Sequence, residues 1–232
     1  MNVAITPALL EGTLRVPASK SMAHRAIICA ALAEGRSTVE NIAFSDDILA
    51  TIEGMRRLGA RIEDIGGALV VDGIGQGQAI CGLPEIDCKE SGSTLRFLIP
   101  VALGLARGAR FTGQGNLGKR PLDVYTKIFD EQGIETQAQG PLLDLQVSGQ
   151  LRAGTFSMRG DVSSQFITGL LFILPLMAED SELVITTHME SKSYVDMTLS
   201  VLADFGIRVK NEAYRRFAIP GGQKYRAGRY RV

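Results

Sequence analysis

Three short polar clusters carry the residue types that could gather anionic groups. Lys20, Ser21 and Arg25 come first. If a helix begins near Ser21, Arg25 lies one turn on, so a hydroxyl, a guanidinium and the terminal amides converge on one anion, with Lys20 as a mobile point charge. The second cluster is Glu90, Ser91, Gly92, Ser93, Thr94 and Arg96. Gly92, lacking a Cβ, lets a ligand approach the backbone closely where helix amides point outward. Arg120 follows Gly113, Gly115, Gly118 and Lys119, and Pro121 after it suits a first helical turn. An Arg at a helix N-terminus opposes the dipole, which favours an anion clamp over a structural role. The third cluster, Ser163, Ser164 and Gln165, offers two hydroxyls and an amide, donors that suit sugar-like or cyclitol hydroxyls as well as phosphate. Ser191 and Tyr194 stand at the start of a later helix and read equally well as ordinary capping.

Taken singly, the first cluster reads rather as an N-capped helix with a solvated Lys and Arg, and Gly92 as a turn former. Recurrence changes that reading. Ser21, Ser93 and Ser164 are 72 and 71 residues apart, and Gly59, Gly133 and Gly206 are 74 and 73 apart. Two independent landmarks give one period, which means three copies of a supersecondary unit with three similar helix starts facing a common ligand.

The elements that must hold these residues follow from hydropathy. In the first copy TLRVPA reads as a strand, SMAHRAIICAALAEG as a helix and RSTVENI as a strand. SDDILATIEGMRRLGA is a second helix with Ser45 as N-cap, and ARIEDI and ALVVDGI pair around Gly66 and Gly67. The unit is βαβαββ. The first helix of each copy is apolar on nearly every face and the second is striped, so three buried helices should lie at the centre with sheets outside. Pro100 and Pro175 fall inside two of the apolar helices, and each should kink its helix or mark its end. The three-repeat domain spans 12–220, with units near 12–75, 76–149 and 150–220. Residues 1–11 read as a strand without a partner in these units, and 221–232 as a basic segment that stops without a closing element. Together they predict a further domain of similar size.

Composition narrows the function classes. Of 232 residues 45% are hydrophobic and 22% charged, ordinary globular material, and 25 cationic side chains balance 25 anionic ones. No global field recruits nucleic acid or an anionic membrane, so any basic site is local. Arg215, Arg216, Lys224, Arg226, Arg229 and Arg231 cluster late in the chain, but only Tyr225 and Tyr230 could stack bases. Cys29, Cys81 and Cys88 include no CxxC pair, and His24 and His188 lack ligand spacing, so neither disulfides nor a metal are expected. No GxxxxGK[ST] or GxGxxG follows a strand. The N-terminus has no basic leader, and the longest apolar run, 166–178, is too short to span a bilayer. These features predict a soluble cytoplasmic protein without a cofactor.

The ordered motifs PASKSMAHRAIICAALAEG, ESGSTLRFLIP, GNLGKRPLD, GDVSSQF and SKSYVDMTL closely resemble the 5-enolpyruvylshikimate-3-phosphate synthase family, over essentially the whole chain but only the first half of such enzymes. The resemblance implies an inside-out α/β barrel of three βαβαββ repeats, one of two domains with substrates in the cleft between them. It implies transfer of the enolpyruvyl group from phosphoenolpyruvate to the 5-hydroxyl of shikimate 3-phosphate, with release of phosphate. Lys20, Ser21 and Arg25 would then hold shikimate 3-phosphate, Lys20 also lying near phosphoenolpyruvate and sharing in catalysis. Gly92 and Arg120 would line the phosphoenolpyruvate site. Ser163, Ser164, Gln165 and Ser191 would complete the other pocket, with Tyr194 close by, and Arg96 matches an Arg of the family motif. The acid–base carboxylates would lie in the other half, so the chain alone would be inactive. One departure stands out: the family commonly has Asn-Ala-Gly-Thr where this chain has Glu90, Ser91, Gly92 and Ser93. That leaves sensitivity to inhibitors such as glyphosate open.

Two rival readings remain. A UDP-N-acetylglucosamine enolpyruvyl transferase would carry Asn after the Lys and a Cys in the Gly-rich loop, whereas Ser21 and Gly115 stand there. A noncatalytic anion-binding module built on the same repeats is the other.

Overall fold

The computed structural model describes residues 3–4, 9, 11–14, 16–75, 80 and 82–232. Among these residues there are six α-helices and twelve strands. The first unit contains α1 (Lys20–Leu32), β1 (Arg36–Glu40), α2 (Asp46–Arg57), β2 (Arg61–Ile65) and β3 (Ala68–Asp72). The second contains β4 (Glu85–Asp87), α3 (Gly92–Ala106), β5 (Gly108–Thr112), α4 (Asp123–Gln132), β6 (Glu135–Ala138) and β7 (Asp144–Ser148). The third contains β8 (Thr155–Met158), α5 (Ser164–Ile173), β9 (Ser181–Ile185), α6 (Lys192–Asp204), β10 (Lys210–Glu212) and β11 (Arg216–Ile219), and β12 (Arg229–Arg231) follows it. No helix among the described residues is long and apolar enough to cross a membrane.

Each unit builds one four-stranded sheet, in the orders β12-β1-β3-β2, β4-β5-β7-β6 and β8-β9-β11-β10. In the second and third sheets the first two strands run parallel and the rest antiparallel. The first sheet corrects the expected unit. The described residues of TLRVPA form no strand, Arg15 lying outside them. β12 takes that place instead, parallel to β1 with Val39 opposite Tyr230. Residues 221–232 are therefore not an open segment: Arg229 and Arg231 both pair with Glu40, and Tyr230 stacks on Phe205 at 5.7 Å. Of 1–11, residues 3, 4, 9 and 11 are in no strand, and the remainder, like Cys81 and 76–79 at the junction of the first two units, lies outside the described residues.

The apolar helices are buried as their composition demands. Phe97 of α3 sits where all three meet, with the Arg25 guanidinium of α1 over its ring at 5.4 Å, His24 edge-on at 6.2 Å and Phe172 of α5 at 5.5 Å. α3 and α5 approach so closely that a Cβ on Gly169 would strike the Arg96 carbonyl, the Tyr125 hydroxyl and the Pro100 ring. The two prolines behave differently. Pro100 stays inside α3, where it supplies no N–H to the carbonyl four residues back, that of Arg96. The Tyr125 hydroxyl donates to that carbonyl at 2.7 Å. Pro175 instead ends α5, and a 3-10 turn over Leu174–Leu176 follows. There the Tyr225 hydroxyl donates to the Phe172 carbonyl at 2.7 Å.

Candidate functional site

Three serines cap the buried helices, one position or two ahead of those the period first suggests. Ser19 accepts from the Met22 amide, Ser91 from Thr94 and Ser163 from Gln165, at 3.3, 3.1 and 3.3 Å. Ser21 and Ser93 are consequently the second residues of α1 and α3, and Ser164 is the first of α5. An N-cap needs extended backbone, which Ser19, Ser91 and Ser163 adopt.

Lys20 opens α1 and its Nζ lies 2.6 Å from Asp47 Oδ2, in the first turn of α2. Arg25 is 2% exposed. Its Nε donates to Thr198 Oγ1 at 2.8 Å, and its terminal nitrogens donate to the carbonyls of Ser21 at 2.7 Å and Tyr194 at 3.0 Å. These bonds tie α1 to the start of α6. Burial lowers the Arg25 pKa to about 10, so the group stays charged at neutral pH. Three of its five N–H groups are engaged.

Gly92 and Arg120 meet directly: a Cβ on Gly92 would collide with the Arg120 guanidinium. The helix after Arg120 starts at Asp123, so Pro121 precedes its first turn, contrary to the sequence-based placement. Arg120 reaches across to the N-terminus of α3 rather than sitting on its own helix. Arg96, almost buried, donates to Gln165 Oε1 at 2.7 Å and to the Pro121 carbonyl at 3.1 Å, and lies 4.8 Å over the Phe166 ring. Gln165 Nε2 in turn donates to Ser93 Oγ at 2.9 Å. One amide side chain thus joins α3 to α5 at their first turns. Burial, and then repulsion from Arg120, pulls the Arg96 pKa down. Its Nε has no partner.

Ser191 precedes α6 with φ of 53°, a left-handed conformation that a serine rarely adopts, and makes no side-chain cap. Tyr194 is exposed at the same end, three residues on. The Glu90 carboxylate is turned toward Gly115, where a Cβ would meet it, so it packs on the loop that leads to Arg120.

The structure therefore brings Lys20, Ser21, Arg25 and Tyr194 into one group, and Gly92, Arg120, Ser163, Ser164 and Gln165 into another, with Ser191 at the head of α6. A belt of buried hydroxyls connects them, of which sequence reasoning singled out Thr94 and missed Thr51, Thr168 and Thr198. Thr168 and Thr198 bond at 2.9 Å between α5 and α6, and Thr51 and Thr94 at 2.7 Å between α2 and α3. All four threonines are fully buried. Their signal in the sequence is a threonine in the first two turns of an apolar or striped helix, which is easily taken for surface. His24 Nδ1 lies 2.8 Å from Thr51 Oγ1 in the same belt, and burial pushes its imidazole down to about 4, neutral at pH 7. Among the described residues no cluster of His, Cys, Asp or Glu could hold a metal ion. What the arrangement can do is present cations, hydroxyls and three helix N-termini to a ligand with several anionic groups.

The family model for EPSP synthase (3-phosphoshikimate 1-carboxyvinyltransferase) matches residues 5–232. A 3-phosphoshikimate 1-carboxyvinyltransferase of Clostridium beijerinckii is 53% identical over 236 residues, covering 100% of this chain and 54% of the relative. That of Clostridioides difficile is 49% identical, covering 100% and 55%. The solved EPSP synthase of Acinetobacter baumannii superposes with a TM-score of 0.79 at 25% identity, covering 95% of this chain and 49% of that one. The chain spans about half the length of the curated relatives it matches.

Proposed function

Because the chain belongs to the EPSP synthase family, we propose that it forms the half of a 3-phosphoshikimate 1-carboxyvinyltransferase that gathers shikimate 3-phosphate and phosphoenolpyruvate. The observation that carries this reading is the Arg120 guanidinium laid over Gly92 at the N-terminus of α3, linked through Arg96, Gln165 and Ser93 to the N-terminus of α5. Two phosphates and two carboxylates must be brought together for the reaction, and such crowding of negative charge is relieved by fixed cations and helix termini.

Lys20, Ser21 and Arg25 hold shikimate 3-phosphate with Ser163, Ser164, Gln165 and Ser191, and Tyr194 closes that side. Gly92 and Arg120 receive phosphoenolpyruvate, so that its anionic oxygens lie between a guanidinium and the amides of α3. Lys20 stands between the two substrates; Asp47 keeps its ammonium in place until a phosphate competes for it. The reaction adds the 5-hydroxyl across the enol double bond and then expels phosphate. It needs a base for the hydroxyl and an acid for the methylene carbon, and those groups belong to the part of the relatives that this chain does not match. The free, buried thiols of Cys29 and Cys88 fit a cytoplasmic setting.

Phosphate release decides the matter. The chain by itself should show negligible turnover with both substrates, and turnover should appear once it is mixed with the remaining half of the Clostridium beijerinckii relative. Turnover by the chain alone, or no turnover in the mixture together with no binding of shikimate 3-phosphate, contradicts the proposal.

A further inference from the structure

The buried hydrogen bonds beneath the helix starts have a direction. His24 Nδ1 contacts Thr51 Oγ1 at 2.8 Å, Thr51 Oγ1 contacts Thr94 Oγ1 at 2.7 Å, and Thr94 Oγ1 donates to Ser91 Oγ at 2.7 Å, with the Asp47 carbonyl farther off at 3.3 Å. Each hydroxyl has one proton to give. Thr94 spends its proton on Ser91 Oγ, with the more distant Asp47 carbonyl as the only alternative acceptor, so it has none to give Thr51. Thr51 must then donate to Thr94, and it has no proton left for the imidazole. His24 Nδ1 must therefore carry the hydrogen.

The opposite direction, from Ser91 through Thr94 and Thr51 to an unprotonated Nδ1, loses the contact with Asp47. It also places the ring hydrogen on Nε2, which is buried and has no partner. A buried N–H without an acceptor is among the rarest features of folded proteins. As the chain of donors runs outward, it leaves only a lone pair there.

We propose that His24, in its Nδ1–H form, is a positioning residue: it starts a one-way relay through Thr51 and Thr94 that fixes Ser91, the N-cap of α3, relative to α1. The relay joins the segment of Lys20 and Arg25 to that of Gly92 and Arg120 without touching a ligand. Its effect on substrate binding rests on the proposed function above; its direction does not.

Nitrogen-15 spectra of the chain carrying His188→Asn, which leaves His24 as the one histidine, read the tautomer directly. A protonated Nδ1 and a pyridine-type Nε2 are expected at neutral pH; the reverse pattern overturns the proposal. Thr51→Val, close in shape, breaks the relay. It should shift the backbone amides of Gly92 and Ser93 and weaken binding of shikimate 3-phosphate and phosphoenolpyruvate roughly tenfold. His24→Asn places an amide nitrogen near the position of Nδ1 and should keep the amide shifts and affinities of the parent, whereas His24→Gln, whose nitrogen falls nearer Nε2, should resemble Thr51→Val. Equal losses for Asn and Gln, or unmoved Gly92 and Ser93 amides in Thr51→Val, refute a positioning role. If the parent chain binds neither substrate, the substrate reading fails, while the tautomer and the amide shifts still decide the relay.

Discussion

At Gly92 a single absent Cβ decides where Arg120 can lie. Gly92→Ala should push the guanidinium off the first turn of α3, since the new methyl falls within its contact distance. Stability should hold or rise slightly, because alanine is the better helix former by about 1 kcal/mol. Affinity for phosphoenolpyruvate should fall about tenfold, the worth of one charge-assisted contact, with shikimate 3-phosphate nearly unaffected. Calorimetric titration with each substrate separates the two, and an unchanged affinity for phosphoenolpyruvate would show that Arg120 does not serve it. His24 supports a second expectation. Its folded pKa of about 4 lies below the ordinary 6.5, so the unfolded chain binds the extra proton first. The stability that burial of the neutral ring contributes is therefore complete above pH 6.5 and is lost as pH falls toward 4, at most roughly 3 kcal/mol. Urea unfolding of the parent and of His24→Asn between pH 4 and 7 should show the parent losing more. The candidate residues themselves were legible because chemistry-bearing types recur at a fixed period. Their partners were not: nothing in the spacing of Lys20 and Asp47, or of Arg25 and Thr198, reveals contacts that form only once α1 packs against α2 and α6.

The helices illustrate how an element can carry a local contradiction when a distant side chain resolves it. Pro100 costs a helix about 3 kcal/mol in isolation, partly through the stranded Arg96 carbonyl. In α3 the Tyr125 hydroxyl, from α4, takes that carbonyl, and it also lies 3.1 Å from the Phe166 carbonyl of α5. Removing the hydroxyl leaves the carbonyl buried and unpaired. Tyr125→Phe should therefore cost about 1–3 kcal/mol. Pro100→Ala supplies an N–H to the same carbonyl, so the double variant should lose less than Tyr125→Phe alone. A double-mutant cycle by chemical denaturation measures the coupling, and strict additivity would mean that the two groups act independently. Periodicity and capping made the helices and their closing glycines legible, with Gly59, Gly133 and Gly206 all at positive φ just past their helices. What it could not supply was the different fate of two similar prolines. That fate depends on which tertiary donor lies within reach.

On the scale of the whole molecule, three sheets surround the helices, yet the chain provides the parallel edge strand of the first sheet from its far end. β12 follows all three units and still completes the first, so the period alone pointed to a strand at TLRVPA that the described residues do not form. A repeat predicts that a slot exists. It does not say which segment fills it. β12 is three residues long; the Thr38 amide donates to the Gly228 carbonyl at 2.9 Å, the Val232 amide donates to the Glu40 carbonyl at 3.0 Å, Asn41 Nδ2 donates to the Val232 carbonyl at 2.7 Å, and Glu40 pairs with Arg229 and Arg231. Both arginines are more than two-thirds exposed, so each ion pair is worth about 0.5 kcal/mol at most and is weakened by salt. The backbone bonds and the Tyr230 ring on Phe205 must supply the rest. Glu40→Gln should consequently leave β12 in place, changing the Thr38 exchange rate by less than about threefold. Tyr230→Ala removes the apolar anchor and should release the strand. Amide exchange at Thr38 should then rise roughly tenfold or more, with Arg110 and Glu182 in the other sheets unchanged. Hydrogen exchange followed by NMR distinguishes the two variants. A large effect of Glu40→Gln with none from Tyr230→Ala would assign the strand's anchorage to charge, and the crossing at β12 would then be expected to loosen with ionic strength, as an apolar clasp would not.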